Sequence, residues 1–137
     1  MTMSASARMV PGTLRSEVSL RDGRFRLVTE EPEEAGGEDS ALMPHELLPA
    51  ALAACVGTTL TMYARTKGWE LGDVAVDVEY DPAVRPRRCT VEIRLGGDLS
   101  EEQRERLEKI AASCAVRRSI EGGIAFEERI AVGAAVS

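Results

Sequence analysis

Pro44-His-Glu-Leu-Leu-Pro-Ala-Ala-Leu-Ala-Ala-Cys55 leads into a run that carries no charge from Leu47 to Ala64, 18 residues in all. Pro44 suits the first turn of a helix, because the N–H it lacks would have had no partner there. Pro49 does not suit a helix interior: it removes a backbone bond and clashes with the carbonyl four residues earlier, so a kink or a fresh start is expected near it. The helix should then run to about Lys67, where Gly68 stops it. Eighteen helical residues span about 27 Å at ~1.5 Å each, the lower limit for crossing a membrane. Pro49, Gly57, Thr58, Thr59 and Thr61 interrupt the run and no basic cluster flanks it. A soluble helix buried on nearly all sides is the better reading, and no membrane partner is expected.

Outward from this helix, residues 1–10 read as a frayed, flexible end. Glu17-Val-Ser-Leu20 and Arg24-Phe-Arg-Leu-Val28 alternate apolar and polar around Asp22-Gly23, a pair suited to the positive φ angles of a hairpin turn. Glu30 to Asp39 combines six carboxylates with Pro32, Gly36 and Gly37, which predicts a solvated surface loop. On the other side, Val74, Val76, Val78 and Tyr80 alternate with acidic residues, and Cys89, Val91, Ile93 and Leu95 alternate with polar ones beyond the Pro82–Pro86 loop. That predicts an antiparallel pair with one buried face, Cys89 on its inner side. Ser100-Glu-Glu-Gln103 is a capping box that starts a second helix, whose stripe Leu107, Ile110, Ala111 and Cys114 turns the Cys114 thiol toward the core. Gly122-Gly123 breaks the chain before a last strand, Ile124 to Ile130. Gly36-Gly37 and Gly96-Gly97 read as turns.

The 137 residues fit one domain over 1–137, near the size where association often supplies extra burial. Asp and Glu number 23 against 17 Lys and Arg, and the basic residues are scattered, which argues against a nucleic-acid partner. Three cysteines cannot all pair within one chain, and Met1 to Arg8 lacks the basic start and apolar run of a secretion signal. A reducing cytoplasm fits best. A metal site fails on inventory, with one His, no Cys-x-x-Cys and cysteines on separate elements. No Ser sits in a nucleophile elbow to partner His45, and no glycine loop has a phosphate-binding pattern. No cofactor is expected.

Thiol chemistry remains. A cysteine taken alone is most often a small buried hydrophobe, and Cys89 falls in that class. Composition and periodicity alone do not single out Cys55, in Leu52-Ala-Ala-Cys-Val56, or Cys114, in Ile110-Ala-Ala-Ser-Cys114; a resemblance does. Together with the Pro44–Cys55 stretch they resemble the OsmC/Ohr family of osmotically inducible and organic hydroperoxide resistance proteins, over roughly residues 12 to 130. The resemblance implies an α+β fold built as an intertwined homodimer, with antiparallel sheets wrapped around long central helices and each site at the subunit interface. It implies a thiol-dependent peroxidase that reduces organic hydroperoxides in oxidative-stress defence. Cys55 would be the thiolate that attacks the peroxide, Cys114 the thiol that resolves the sulfenic acid, and a dithiol the reductant.

Three departures from the family pattern bear on that assignment. The position ten residues before the reactive Cys, a Glu that holds an activating Arg in peroxidatic members, is His45, with Glu46 beside it. The Pro that follows the second Cys in many relatives is absent from Cys114-Ala-Val-Arg-Arg118. The activating Arg has no fixed motif: Arg21 is the first choice, with Arg15 and Arg26 behind it. The pattern looks closer to the OsmC-like branch than to either named peroxidase. His45 either takes over from the missing Glu or polarises the peroxide; the plainer reading is a partly exposed residue of the first helical turn.

The uncharged helix supports the dimer independently, since a monomer this small cannot easily cover it. With five aromatics in the chain, a pocket would be lined mainly by Leu, Ile, Val and Met, suiting an organic hydroperoxide or another apolar small molecule. A reading of a different class keeps the fold but makes Cys55 and Cys114 core residues of a non-catalytic, small-ligand-binding protein. A third, a redox sensor or accessory subunit, uses the same cysteines with a protein partner. Geometry separates the first two, because a disulfide needs Cα atoms within roughly 7 Å.

Overall fold

The computed structural model describes residues 1–133, and the chain gathers into two compact units. The first comprises Met1–Ala51 with Glu79–Cys89; the second comprises Leu52–Val78 and the described residues from Thr90 on.

In the first unit three antiparallel strands, β1 (Ala5–Met9), β2 (Arg15–Leu20) and β3 (Phe25–Glu30), lie in that order. The expected hairpin is β2–β3, with Leu20 opposite Phe25 and Arg15 opposite Glu30. Arg21, Asp22 and Gly23 take φ angles of 50°, 55° and 83°, and the Arg24 N–H returns to the Arg21 carbonyl at 3.1 Å. Asp and Gly tolerate that left-handed backbone, which is why the dipeptide marked the turn. Residues 5–9, expected to fray, instead pair with β2 from Ala5–Leu20 to Met9–Ser16. All five are exposed, so no buried alternation announced the strand.

The acidic stretch is also corrected at its start. Glu30 is 1% exposed and belongs to β3, because Arg15, Ser40 and the Glu38 N–H, 3.0 Å away, satisfy its carboxylate. Beyond a 3-10 turn at Glu33–Ala35 the chain doubles back so tightly that a Cβ on Gly37 would fall 1.9 Å from the Glu31 carbonyl. A second 3-10 turn, Pro44–Glu46, leads into the long helix α1 (Leu47–Lys67). That change of helix type is the fresh start expected near Pro49, which falls in the first α-turn, where its missing N–H has no intrahelical partner to lose.

In the second unit α1 buries a single stripe, Leu52, Val56, Leu60 and Ala64, spaced four apart, whereas burial on nearly all sides was expected. Its far end closes as a Schellman motif: Gly68 takes φ 70°, its N–H reaches the Arg65 carbonyl, and the Trp69 N–H reaches Ala64 at 2.9 Å. Strands β4 (Val74–Asp81) and β5 (Arg88–Leu95) form a two-stranded sheet. Val74, Val76, Val78, Ile93 and Leu95 pack on the core, as the alternation predicts. Cys89 and Val91 do not; both are exposed, and the inner-face assignment of Cys89 is overturned because nothing among the described residues covers that end of β5. Gly97 donates to the Leu71 carbonyl at 2.7 Å, an approach a side chain would block.

Helix α2 (Glu101–Ala111) starts from Ser100 with the expected capping box, its hydroxyl accepting from the Gln103 N–H at 3.1 Å. It buries Leu107 and Ala111 and ends there, short of Cys114. Cys114 instead caps a separate helix, α3 (Ala115–Gly122), which the apolar stripe did not separate from α2. The last expected strand is absent: residues 124–130 have no strand partner among the described residues, and Ile124, Phe126 and Ile130 stand exposed.

Candidate functional site

The second unit brings Cys55 and Cys114 together. Cys55 lies on α1 between the buried Leu52 and Val56, half-buried and packed against the core cluster to which Cys114 belongs. Cys114 is 1% exposed. Its extended backbone (φ −63°, ψ 149°) lets Sγ turn back over the first turn of α3 and accept the Arg117 N–H at 3.4 Å, as Ser or Asp does at other caps. The N–H groups of Val116 and Ala115 in the same first turn lower the Cys55 thiol.

The two thiols are displaced in opposite directions. Burial pushes Cys55 up, but the Val116 N–H, the Cys114 thiol, the Thr59 hydroxyl and the Ala115 N–H outweigh it and leave Cys55 below the ordinary thiol range. Burial also pushes Cys114 up; the Arg117 N–H opposes this, while a neighbouring Cys55 thiolate reinforces it, so Cys114 ends above that range. The pair therefore consists of one thiol inclined to ionise and one inclined to keep its proton. Thr59, one helical turn after Cys55, is absent from the sequence assignment, though its i+4 spacing was a usable signal. The N–H groups of residues 115 and 116 had none, because the α2–α3 break carries no Gly or Pro.

His45, Glu46 and Arg21 all belong to the first unit. His45 is exposed in the Pro44–Glu46 turn, its ring edge-on to Tyr80 with centroids 5.3 Å apart. Glu46 caps the same turn, its Oε1 accepting the Met43 N–H at 2.9 Å. Arg21 sits in the β2–β3 turn over the Phe25 ring and has no ion-pair partner among the described residues. Arg26 donates to the Gly23 carbonyl, and Arg15 is held in the Glu30–Ser40 cluster. Of the three arginines, Arg15 is the one whose guanidinium is fixed by a buried carboxylate. Among the described residues no group of His, Cys, Asp and Glu is arranged to hold a metal ion.

A profile of the family described as OsmC-like protein matches residues 37–129. Several solved structures share the fold. The Legionella pneumophila organic hydroperoxide resistance protein OsmC has 26% identity and a TM-score of 0.67, over 89% of this chain and 90% of that one. A proposed osmotic stress induced and detoxification response protein of Psychrobacter arcticus has 24% identity and a TM-score of 0.72, over 87% and 88%. An organic hydroperoxide resistance protein of Elizabethkingia anophelis has 21% identity and a TM-score of 0.65, over 89% of each chain. No protein of curated function matches the sequence.

Proposed function

Because the chain belongs to the OsmC-like protein family, we propose that it is a two-cysteine thiol peroxidase that reduces organic hydroperoxides, the class named for its Legionella and Elizabethkingia relatives. The observation that carries this reading is that Cys55 packs on the buried cluster that holds Cys114, with the Cys55 thiol shifted down and the Cys114 thiol up. The Cys55 thiolate attacks the terminal peroxide oxygen, the O–O bond breaks, and the alkoxide leaves as an alcohol after taking a proton. Cys55 is then a sulfenic acid. Cys114 attacks its sulfur and expels hydroxide, which takes up the thiol proton as water, and the disulfide forms. A dithiol reductant returns both thiols and is itself oxidised to a disulfide. The N–H groups of Ala115 and Val116 hold charge on Cys55 before the attack.

Arg21, Arg15 or Arg26 is the proposed activating guanidinium. His45 and Glu46 are the proposed stand-ins for the family's carboxylate. The reading treats residues 1–137 as one domain, the protein as a cytoplasmic homodimer, and neither nucleic acid nor membrane as a partner. What supports the dimer is the uncharged, exposed stripe of α1 at Ala51, Ala54, Thr58 and Met62, and the exposed Ile124, Phe126 and Ile130, which have no strand partner among the described residues. A non-catalytic, ligand-binding role is favoured by one observation, that His45 packs on Tyr80 and supplies no carboxylate.

The test is consumption of cumene hydroperoxide with dihydrolipoamide as reductant, on the parent and on Cys55→Ser. Turnover by the parent and none by the variant is expected. A parent that consumes no peroxide moves the assignment to ligand binding.

A further inference from the structure

Two helical turns beyond Cys55, about 12 Å along α1, Tyr63 and the chain's one Trp line a cleft of about 800 Å³, within the range of small-molecule sites. The Schellman turn at Gly68 folds Trp69 back so that its ring stands edge-on to Tyr63, with centroids 5.6 Å apart. Two cations converge on the Tyr63 ring: Lys67 Nζ lies 5.8 Å from its centroid and the Arg106 guanidinium 5.7 Å, with Arg106 Nε donating to the Tyr63 hydroxyl at 3.0 Å. Lys109 lines the same cleft. Among the described residues none of these three cations is ion-paired, although Glu102 and Glu105 also line the cleft. Cation–π attraction to the Tyr63 ring offsets placing two like charges around it. An anion between them would remove the repulsion, and the Trp69 ring gives a flat apolar body a surface to lie on.

We propose that this cleft binds a small aromatic carboxylate, its carboxylate between Arg106 and Lys67 and its ring against Trp69. Arg106 is the main anchor, because its fork of donors keeps N–H groups to spare after Nε is used on Tyr63. The site is separate from the thiol pair and does not depend on peroxidase activity.

Trp69 is the only Trp, so its fluorescence reports the cleft without a label. Titration of the full-length protein with benzoate should give a saturable change, and benzyl alcohol, which lacks the charge, should give none. Arg106→Gln should weaken benzoate binding about tenfold, the loss of one charge-assisted hydrogen bond; Lys67→Gln should weaken it less. Both residues lie near the surface, so both variants should fold. A flat titration, equal responses to benzoate and benzyl alcohol, or parental affinity in Arg106→Gln overturns the proposal. Inorganic phosphate binding as tightly as benzoate overturns the aromatic half of it.

Discussion

Cys55 packs on the buried cluster that holds Cys114, and the Cys114 thiol caps helix α3 by accepting the Arg117 N–H; the N–H groups of Ala115 and Val116 in that turn pull the Cys55 thiol down. The Cys55 thiol is shifted down from its ordinary value and the Cys114 thiol up. That division follows from place in the fold, since the deeper thiol loses more solvation on ionising.

Alkylation should reveal it. Iodoacetamide should modify Cys55 at a lower pH than a free thiol, and Cys114 only at higher pH. The linkage signs differ. The depressed Cys55 adds stability that is present above the unfolded thiol pKa and lost as pH falls through the folded one. The raised Cys114 adds stability that is present below the unfolded pKa and lost as pH rises through the folded one. Peptide mapping that finds both thiols modified in step across the pH range would contradict the assignment.

Thr59→Val removes one donor to Cys55 while keeping the branched shape on α1. The Cys55 titration should move up and the peroxidase rate near neutral pH should fall a few-fold, roughly the effect of a weak hydrogen bond. Helicity and melting temperature should stay as in the parent. An unmoved titration removes Thr59 from the site.

Much of this was legible in the sequence, and the failures share a cause. Asp22-Gly23 needed positive φ, Gly68 ended α1 and Ser100 capped α2, because each signal is local and so is the geometry it dictates. Cys89 and Ile124 to Ile130 were misread because alternation tells which side chains share a face but not whether anything covers that face. The Cys114 stripe continued in phase past Ala111 while the backbone did not, so a helix break without Gly or Pro left no mark. Glu30 was hidden within a run of carboxylates; its partners Arg15 and Ser40 lie 15 and 10 residues away in sequence.

Glu30 gives a second pH signature. Hydrogen bonding by Ser40 lowers its carboxyl; a thin cover that excludes water raises it, but Glu38 N–H and Arg15 complete the lowering. A depressed carboxyl adds stability above the unfolded pKa that is lost as pH falls through the folded pKa. Glu30→Gln should lower the melting temperature at neutral pH and flatten its decline in acid. Equal melting curves for parent and variant at both pH values would rule that contribution out.

Met62 is 62% exposed on the uncharged side of α1. Met62→Glu should leave a single chain's core untouched yet place a charge on the proposed dimer face. Light scattering should report a dimer for the parent and loss of that dimer, to monomer or aggregate, for the variant. An unchanged dimer moves the interface elsewhere; a stable, soluble parent monomer removes it.

The imidazole at position 45 supplies no carboxylate and cannot anchor a guanidinium as Glu does. His45→Glu should therefore raise the peroxidase rate or lower the Cys55 pKa. If a folded variant shows the parent's rate and titration, position 45 lies outside the site and Glu46 is next to test.

The central claim, that Cys55 and Cys114 act as one redox pair, is tested most directly by adding one equivalent of cumene hydroperoxide to the reduced protein without reductant and mapping the disulfides by mass spectrometry. The account predicts one equivalent of cumyl alcohol and a peptide joining Cys55 to Cys114, with Cys89 still free; in Cys114→Ser, Cys55 should stop at the sulfenic acid. Both thiols recovered unmodified, or a disulfide that leaves Cys55 out, would contradict it.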